Sequence, residues 1–206
     1  MDSNWASENL QVIRTLMERA AIYRRALAPT SLVTGTIGTL AAIAGWALNI
    51  DSPAGFYAYW LGVSLATIST ALVIVRKQSL RAVEPFWSPP ARRVVQAMFP
   101  PLTAGLALTL AFARQWGGQK IAVWWLIAIW LLLYGCALNA AGFFMPRGIK
   151  LFGLVFMLAG GVLLVTLLGQ EPNFMFTHVV MGATFGGLHL AYGAYLHCTE
   201  KVMNAA

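Results

Sequence analysis

Six apolar runs follow one another along the chain, at about residues 30–50, 56–75, 96–113, 121–141, 151–168 and 175–196, and none contains an Asp, Glu, Lys or Arg. A helix of roughly 20 residues is about 30 Å long, the thickness of a bilayer's hydrocarbon core. Lipid offers no hydrogen bonds, so a segment crossing that core must satisfy its own backbone, which for single runs of this length means a helix. The expected fold is therefore an all-α membrane protein with six transmembrane helices. Composition agrees: with 59% hydrophobic and 10% charged residues, the chain of 206 residues has too little polar surface to cover a water-soluble domain.

The charges sit between the runs, and their placement suggests an orientation. Of the 14 basic residues, twelve fall before the first run, in the second and fourth connections, or after the last run. These are Arg14, Arg19, Arg24, Arg25, Arg76, Lys77, Arg81, Arg92, Arg93, Arg147, Lys150 and Lys201; only Arg114 and Lys120 belong to the other side. Lys and Arg accumulate on the cytoplasmic side of membrane proteins, so both termini are expected in the cytoplasm. The expected location is a bacterial inner membrane, crossed several times. Trp46, Phe56, Tyr57, Trp60, Trp116, Trp124 and Trp125 fall where the outer interface belongs, and Phe86, Trp87 and Phe143 near the inner one. The opening MDSNWASENLQ has no basic region leading into an apolar core, so the first span is expected to serve as the targeting signal.

Ahead of the first span, NLQVIRTLMERAAIYRRALAP (residues 9–29) meets no breaker until Pro29. At 100° per residue Leu10, Ile13, Leu16, Met17, Ala20 and Leu27 share one face and Gln11, Arg14, Thr15, Glu18 and Arg19 the other. This division predicts a cytoplasmic amphipathic helix over residues 1–28, with one six-helix domain over 29–206. A basic helix next to a span suits the headgroup region of anionic lipid. The same helix and the basic connection 76–93 are the expected contacts for a cytoplasmic protein partner or for another copy in a homo-oligomer. Arg24 falls within the apolar arc, where it either snorkels to headgroups or pairs with a buried acceptor. Topology accounts for the basic residues, so no nucleic acid partner is expected.

A second basic stretch, SPPARRVVQAMFPPLTAG (88–105), runs through Pro100 and Pro101 into the third span. Proline lacks an N–H and frees a carbonyl one turn back, so a kink is expected there, with Thr30 and Thr103 positioned to satisfy freed backbone groups at the two proline sites. Cys136 and Cys198 both lie toward the cytoplasmic side and lack metal-ligand spacing, so a disulfide and a metal site are both unexpected.

Chemistry is thinnest where it first looks richest. In the last run His178, Gly182, Gly186, His189, Gly193 and His197 are spaced 4, 4, 3, 4 and 4, which puts them on one helical stripe. Gly182, Gly186 and Gly193 would let a neighbouring helix approach closely. At 1.5 Å per residue His178 and His189 stand about 16 Å apart and His189 and His197 about 12 Å, too far to share a metal ion. The chain has 3 histidines in all, so haem held by histidines of two helices cannot be built within one copy. Nor does any span hold a carboxylate to orient His189 for acid–base work. No cofactor, metal or catalytic residue is expected. His189, with Asn139, Tyr134, a hydroxyl or a backbone carbonyl as partner, reads as polar glue between helices.

The segments IRTLMER (13–19) and GLHLAYG (187–193) carry a resemblance. With Ile13, Arg14, Met17, Glu18 and Arg19 in the first and Gly186, His189, Tyr192 and Gly193 around the second, the chain resembles an uncharacterised family of bacterial six-transmembrane inner-membrane proteins. The resemblance spans nearly the whole chain. The genes of that family often sit near a small winged-helix regulator, which implies a regulatory or accessory role. The chain is therefore expected to work by interaction, as a regulatory or accessory subunit whose cytoplasmic helix and basic loop contact lipid and a partner. The rival is a small-solute permease or channel with His189, Asn139 and Tyr192 lining a polar path, and a haem-binding subunit is the remoter alternative. A water-filled cavity at His189 would favour transport, and a dry, packed His189 would favour interaction.

Overall fold

The computed structural model describes residues 27–81, 87–116, 119–145, 147–167 and 169–205. Within them are six helices long and apolar enough to cross a membrane, and no strand. They are α1 (Leu27–Ala47), α2 (Pro53–Arg81), α3 (Pro89–Trp116), α4 (Ala122–Ala141), α5 (Arg147–Leu167) and a sixth span in two parts. That last span is α6 (Phe174–Met181) and α7 (His189–Ala205), joined without a break by a π-helical segment, Gly182–Leu188. The expected amphipathic helix, Arg24 included, lies outside the described residues, except that Leu27 and Ala28 open α1.

The helices begin and end where their sequences direct. Pro53 and Pro89 stand at the first positions of α2 and α3, where a missing N–H costs nothing. Asn173 caps α6 by accepting the Met175 N–H at 3.0 Å. α1 ends in a Schellman turn: the Ile50 N–H donates to the Gly45 carbonyl and the Asn49 N–H to the Trp46 carbonyl. That turn needs a left-handed residue after the helix, and Asn49 supplies it with φ 51°.

Pro100 and Pro101 lie inside α3, which continues through them. Thr103 donates from one hydroxyl to the carbonyls of Phe99 and Pro100. Those are not the carbonyls the prolines free, which lie four residues back at Gln96 and Ala97. Thr30 does not fill the expected role at the first site either: its hydroxyl is buried with no partner among the described residues.

α4 forms the centre of the bundle. In its most apolar window 56% of residues are buried, against 6% for α2 and 11% for α3, whose outer faces meet whatever surrounds the protein. Two seams of glycine hold the centre. On the first, a Cβ on Gly135 of α4 would lie 2.6 Å from the Gly153 carbonyl oxygen, and one on Gly153 of α5 would lie 2.7 Å from the Gly135 carbonyl oxygen. One turn pair further on, Gly160 faces the Ala128 carbonyl at 2.9 Å by the same measure. The second seam joins α1 to the last span. A Cβ on Gly186 would meet the Thr39 hydroxyl at 2.5 Å, one on Gly193 the Leu32 side chain at 2.8 Å, and one on Gly182 the Ala42 methyl at 2.5 Å. Side chains at these positions would force the helices apart, and close backbone approach is what drives helix association in lipid, where no hydrophobic force acts between them.

Candidate functional site

The three histidines part company in the folded chain. His197 is exposed, while His178 and His189 are 1% and 4% exposed and belong to different clusters.

His178 ties three helices together at the end of the bundle where α1 meets α2. The Trp60 indole N–H donates to its Nδ1 at 3.2 Å, and its Nε2 lies 3.2 Å from the Ile50 carbonyl oxygen. An indole nitrogen only donates and a carbonyl only accepts, so the ring is neutral with its proton on Nε2. The Schellman turn of α1 is what presents that carbonyl. Neither ring nitrogen is left to bind a metal. Phe56, Tyr59 and Trp60 surround the imidazole at centroid distances of 5.2, 5.9 and 6.0 Å. Gly45 makes room beneath it, since a Cβ there would stand 2.6 Å from ring atoms Cε1 and Nδ1. Tyr59 adds a further tie by donating to the Ala41 carbonyl of α1 at 2.6 Å.

This cluster revises the expected aromatic belt. Phe56, Tyr57, Trp60 and Trp124 are buried at 0 to 3% exposure, packed inward and not spread along the interface. Trp46, at 52%, and Trp125, at 37%, stay on the outside. Aromatic residues near a span end serve either purpose, and position along the chain does not distinguish them. A cavity of about 260 Å³ opens beside the cluster between the two connections, with Trp46, Asn49, Asp51, Asn173 and Phe174 on its walls and His178 at its base.

His189 lies deeper, against α4 and α5. Its Nε2 is 2.8 Å from the Tyr134 hydroxyl, and the rings of Phe152, Phe156 and Tyr134 stand 5.0, 5.4 and 5.6 Å away. Its Nδ1 faces the Phe185 carbonyl one turn back without closing a hydrogen bond. With the tyrosine donating to Nε2, the ring proton sits on Nδ1 and points toward that carbonyl, the arrangement that leaves least polarity unsatisfied. Tyr192 stacks on Phe152 at 4.5 Å, its hydroxyl buried without a partner among the described residues. Asn139 is half-buried and packs through its backbone against Gly153; no hydrogen bond joins it to His189.

The expected single stripe is thus divided: the glycines face α1, while His189 faces α4 and α5. In an unbroken α-helix His189 would sit about 60° around from Gly186. The π segment between them uses i→i+5 bonding and turns less per residue, which carries His189 further from the glycine face. Three glycines in the seven residues GATFGGL ease that departure from α geometry. Spacing arithmetic assumed a uniform helix and could not show this rotation.

Cys136 and Cys198 are free thiols on exposed faces. Among the described residues no group of three His, Cys, Asp or Glu side chains converges. No protein-family model, curated protein or solved structure matches the chain.

Proposed function

We propose that this protein acts by contact, as a regulatory or accessory subunit of a bacterial inner membrane, with its termini in the cytoplasm. The observation that carries this reading is His189. Deep in the bundle its ring is 4% exposed, bonded to Tyr134 and enclosed by Phe152 and Phe156, so it braces helices and does not line a path. The second polar candidate, Tyr192, is stacked flat on Phe152. Asymmetry of Lys and Arg supports the orientation. The basic stretches at 9–28 and 76–93 are the proposed contacts with anionic headgroups and with a protein partner, and the resemblance of the 13–19 and 186–193 segments to a six-span family whose genes often sit near a winged-helix regulator supports the regulatory sense of that contact.

Affinity purification from native membranes with quantitative mass spectrometry tests this. The expected result is a partner recovered in fixed ratio with the wild type and lost when Arg76, Lys77 and Arg81 are replaced by Gln. Failure to recover any such partner, together with solute flux in proteoliposomes that His189→Phe abolishes, would instead establish a permease.

A further inference from the structure

We propose that the cavity between the α1–α2 connection and the start of α6 binds a primary ammonium group, carried either by a lipid headgroup or by a free small amine. Its walls have the chemistry for a cation. Asp51 is exposed at the rim and makes no ion pair or hydrogen bond with any described residue. The connections on either side, residues 48–52 and 168–173, contain no Lys or Arg, while the second adds Glu171, so these two connections are net negative.

The remaining walls favour N–H donors over a bare metal ion. Asn49 and Asn173 bring amide oxygens; that of Asn173 already accepts the Met175 N–H and has a second lone pair to offer. Trp46, half exposed, and Phe174 provide aromatic surface of the kind that attracts organic cations. The base supplies shape only, because both nitrogens of His178 are engaged by Trp60 and Ile50. At about 260 Å³ the space equals roughly nine waters at about 30 Å³ each, which suits an aminoalkyl group and not a large solute.

The walls are held before any ligand arrives. Asn49 is locked in the left-handed conformation by the Schellman turn, Gly45 is pressed against His178, and Asn173 is fixed by its capping bond. Fixed walls spare a ligand the entropy of ordering them. The cavity sits at the end of the apolar spans, the depth of headgroups, which is why one chemistry has two sources.

The test uses the full-length protein. Ethanolamine is titrated into detergent-solubilised wild type against sodium chloride at equal ionic strength, and native mass spectrometry measures lipid retained from nanodiscs of mixed phosphatidylethanolamine and phosphatidylglycerol. Asp51→Asn removes the charge and keeps the shape; loss of one charge-assisted contact should weaken binding about tenfold while leaving the ligand-free melting point unchanged. Trp46→Leu provides a second variant that leaves Asp51 in place and should weaken binding as well. Ethanolamine binding that depends on Asp51 identifies a free-amine site, and preferential phosphatidylethanolamine retention that depends on Asp51 identifies a headgroup site. If the wild type discriminates in neither measurement, or Asp51→Asn and Trp46→Leu both bind as it does, the proposal is wrong.

Discussion

A histidine placed in an apolar span costs free energy unless its ring nitrogens find partners, and the two buried histidines meet that demand differently. His178 has both nitrogens bonded, one by an indole and one by a carbonyl that exists in that place only because Asn49 closes a Schellman turn. Gly45 completes the fit. Gly45→Ala would drive a methyl to within 2.6 Å of the imidazole, and the expected cost is about 1 to 3 kcal/mol, read as a lowered melting temperature in detergent. His189 has one nitrogen bonded, so its tyrosine matters more. Tyr134→Phe leaves a buried ring nitrogen without its partner and should cost about 1 to 3 kcal/mol, whereas an unchanged melt would mean that water reaches the ring. Sequence reading found His189 and included Tyr134 among its candidate partners, but it missed the stronger role of His178. The reason is physical: Trp60 and Ile50 lie 118 and 128 residues away from His178 in the chain, and local spacing carries no trace of such pairings.

Among the elements, the packing of the sixth span shows where periodicity succeeds and where it stops. Gly182, Gly186 and Gly193 all meet α1, as small residues at helical spacing suggest, yet the π segment turns His189 to another neighbour. Hydrogen-bond register within a helix is set by tertiary packing as much as by residue type, so it was not legible. The seam itself predicts a sharp contrast between two glycines. Gly186→Leu places a branched side chain where a Cβ alone would be 2.5 Å from the Thr39 hydroxyl, and it should lower the melting temperature and the yield of folded protein. Gly62→Leu on α2 meets open space, with nothing within 4 Å of its Cβ, and should be close to neutral. Equal effects at the two sites would show that the seam does not hold the bundle. In α3, Pro100 and Pro101, where a kink is expected, lie within one continuous helix, so two prolines in succession do not end it.

For the whole molecule, the six spans were legible because lipid imposes a length and a polarity that uncharged runs of roughly 20 residues satisfy almost unaided. Their arrangement was not, since α4 is central and α2 peripheral although both are equally apolar in sequence, with mean hydropathy 1.8 in each. What surrounds a helix depends on matching shapes, chiefly Gly135 against Gly153 and Gly186 against Thr39. The bundle is closed around His189 and opens at the cavity near its end. Thiol accessibility measures that directly. In protein freed of Cys136 and Cys198 by alanine substitution, single cysteines at Asn139, Leu188 and Met175 are exposed to a membrane-impermeant thiol reagent in sealed and in opened vesicles. Met175, on the cavity wall, should label readily, while Asn139, half-buried against Gly153, and Leu188, next to His189 in the chain and packed on the core, should stay unlabelled from both sides. Labelling at Asn139 and Leu188 as fast as at Met175 would reveal a water-filled path through the centre and contradict the account.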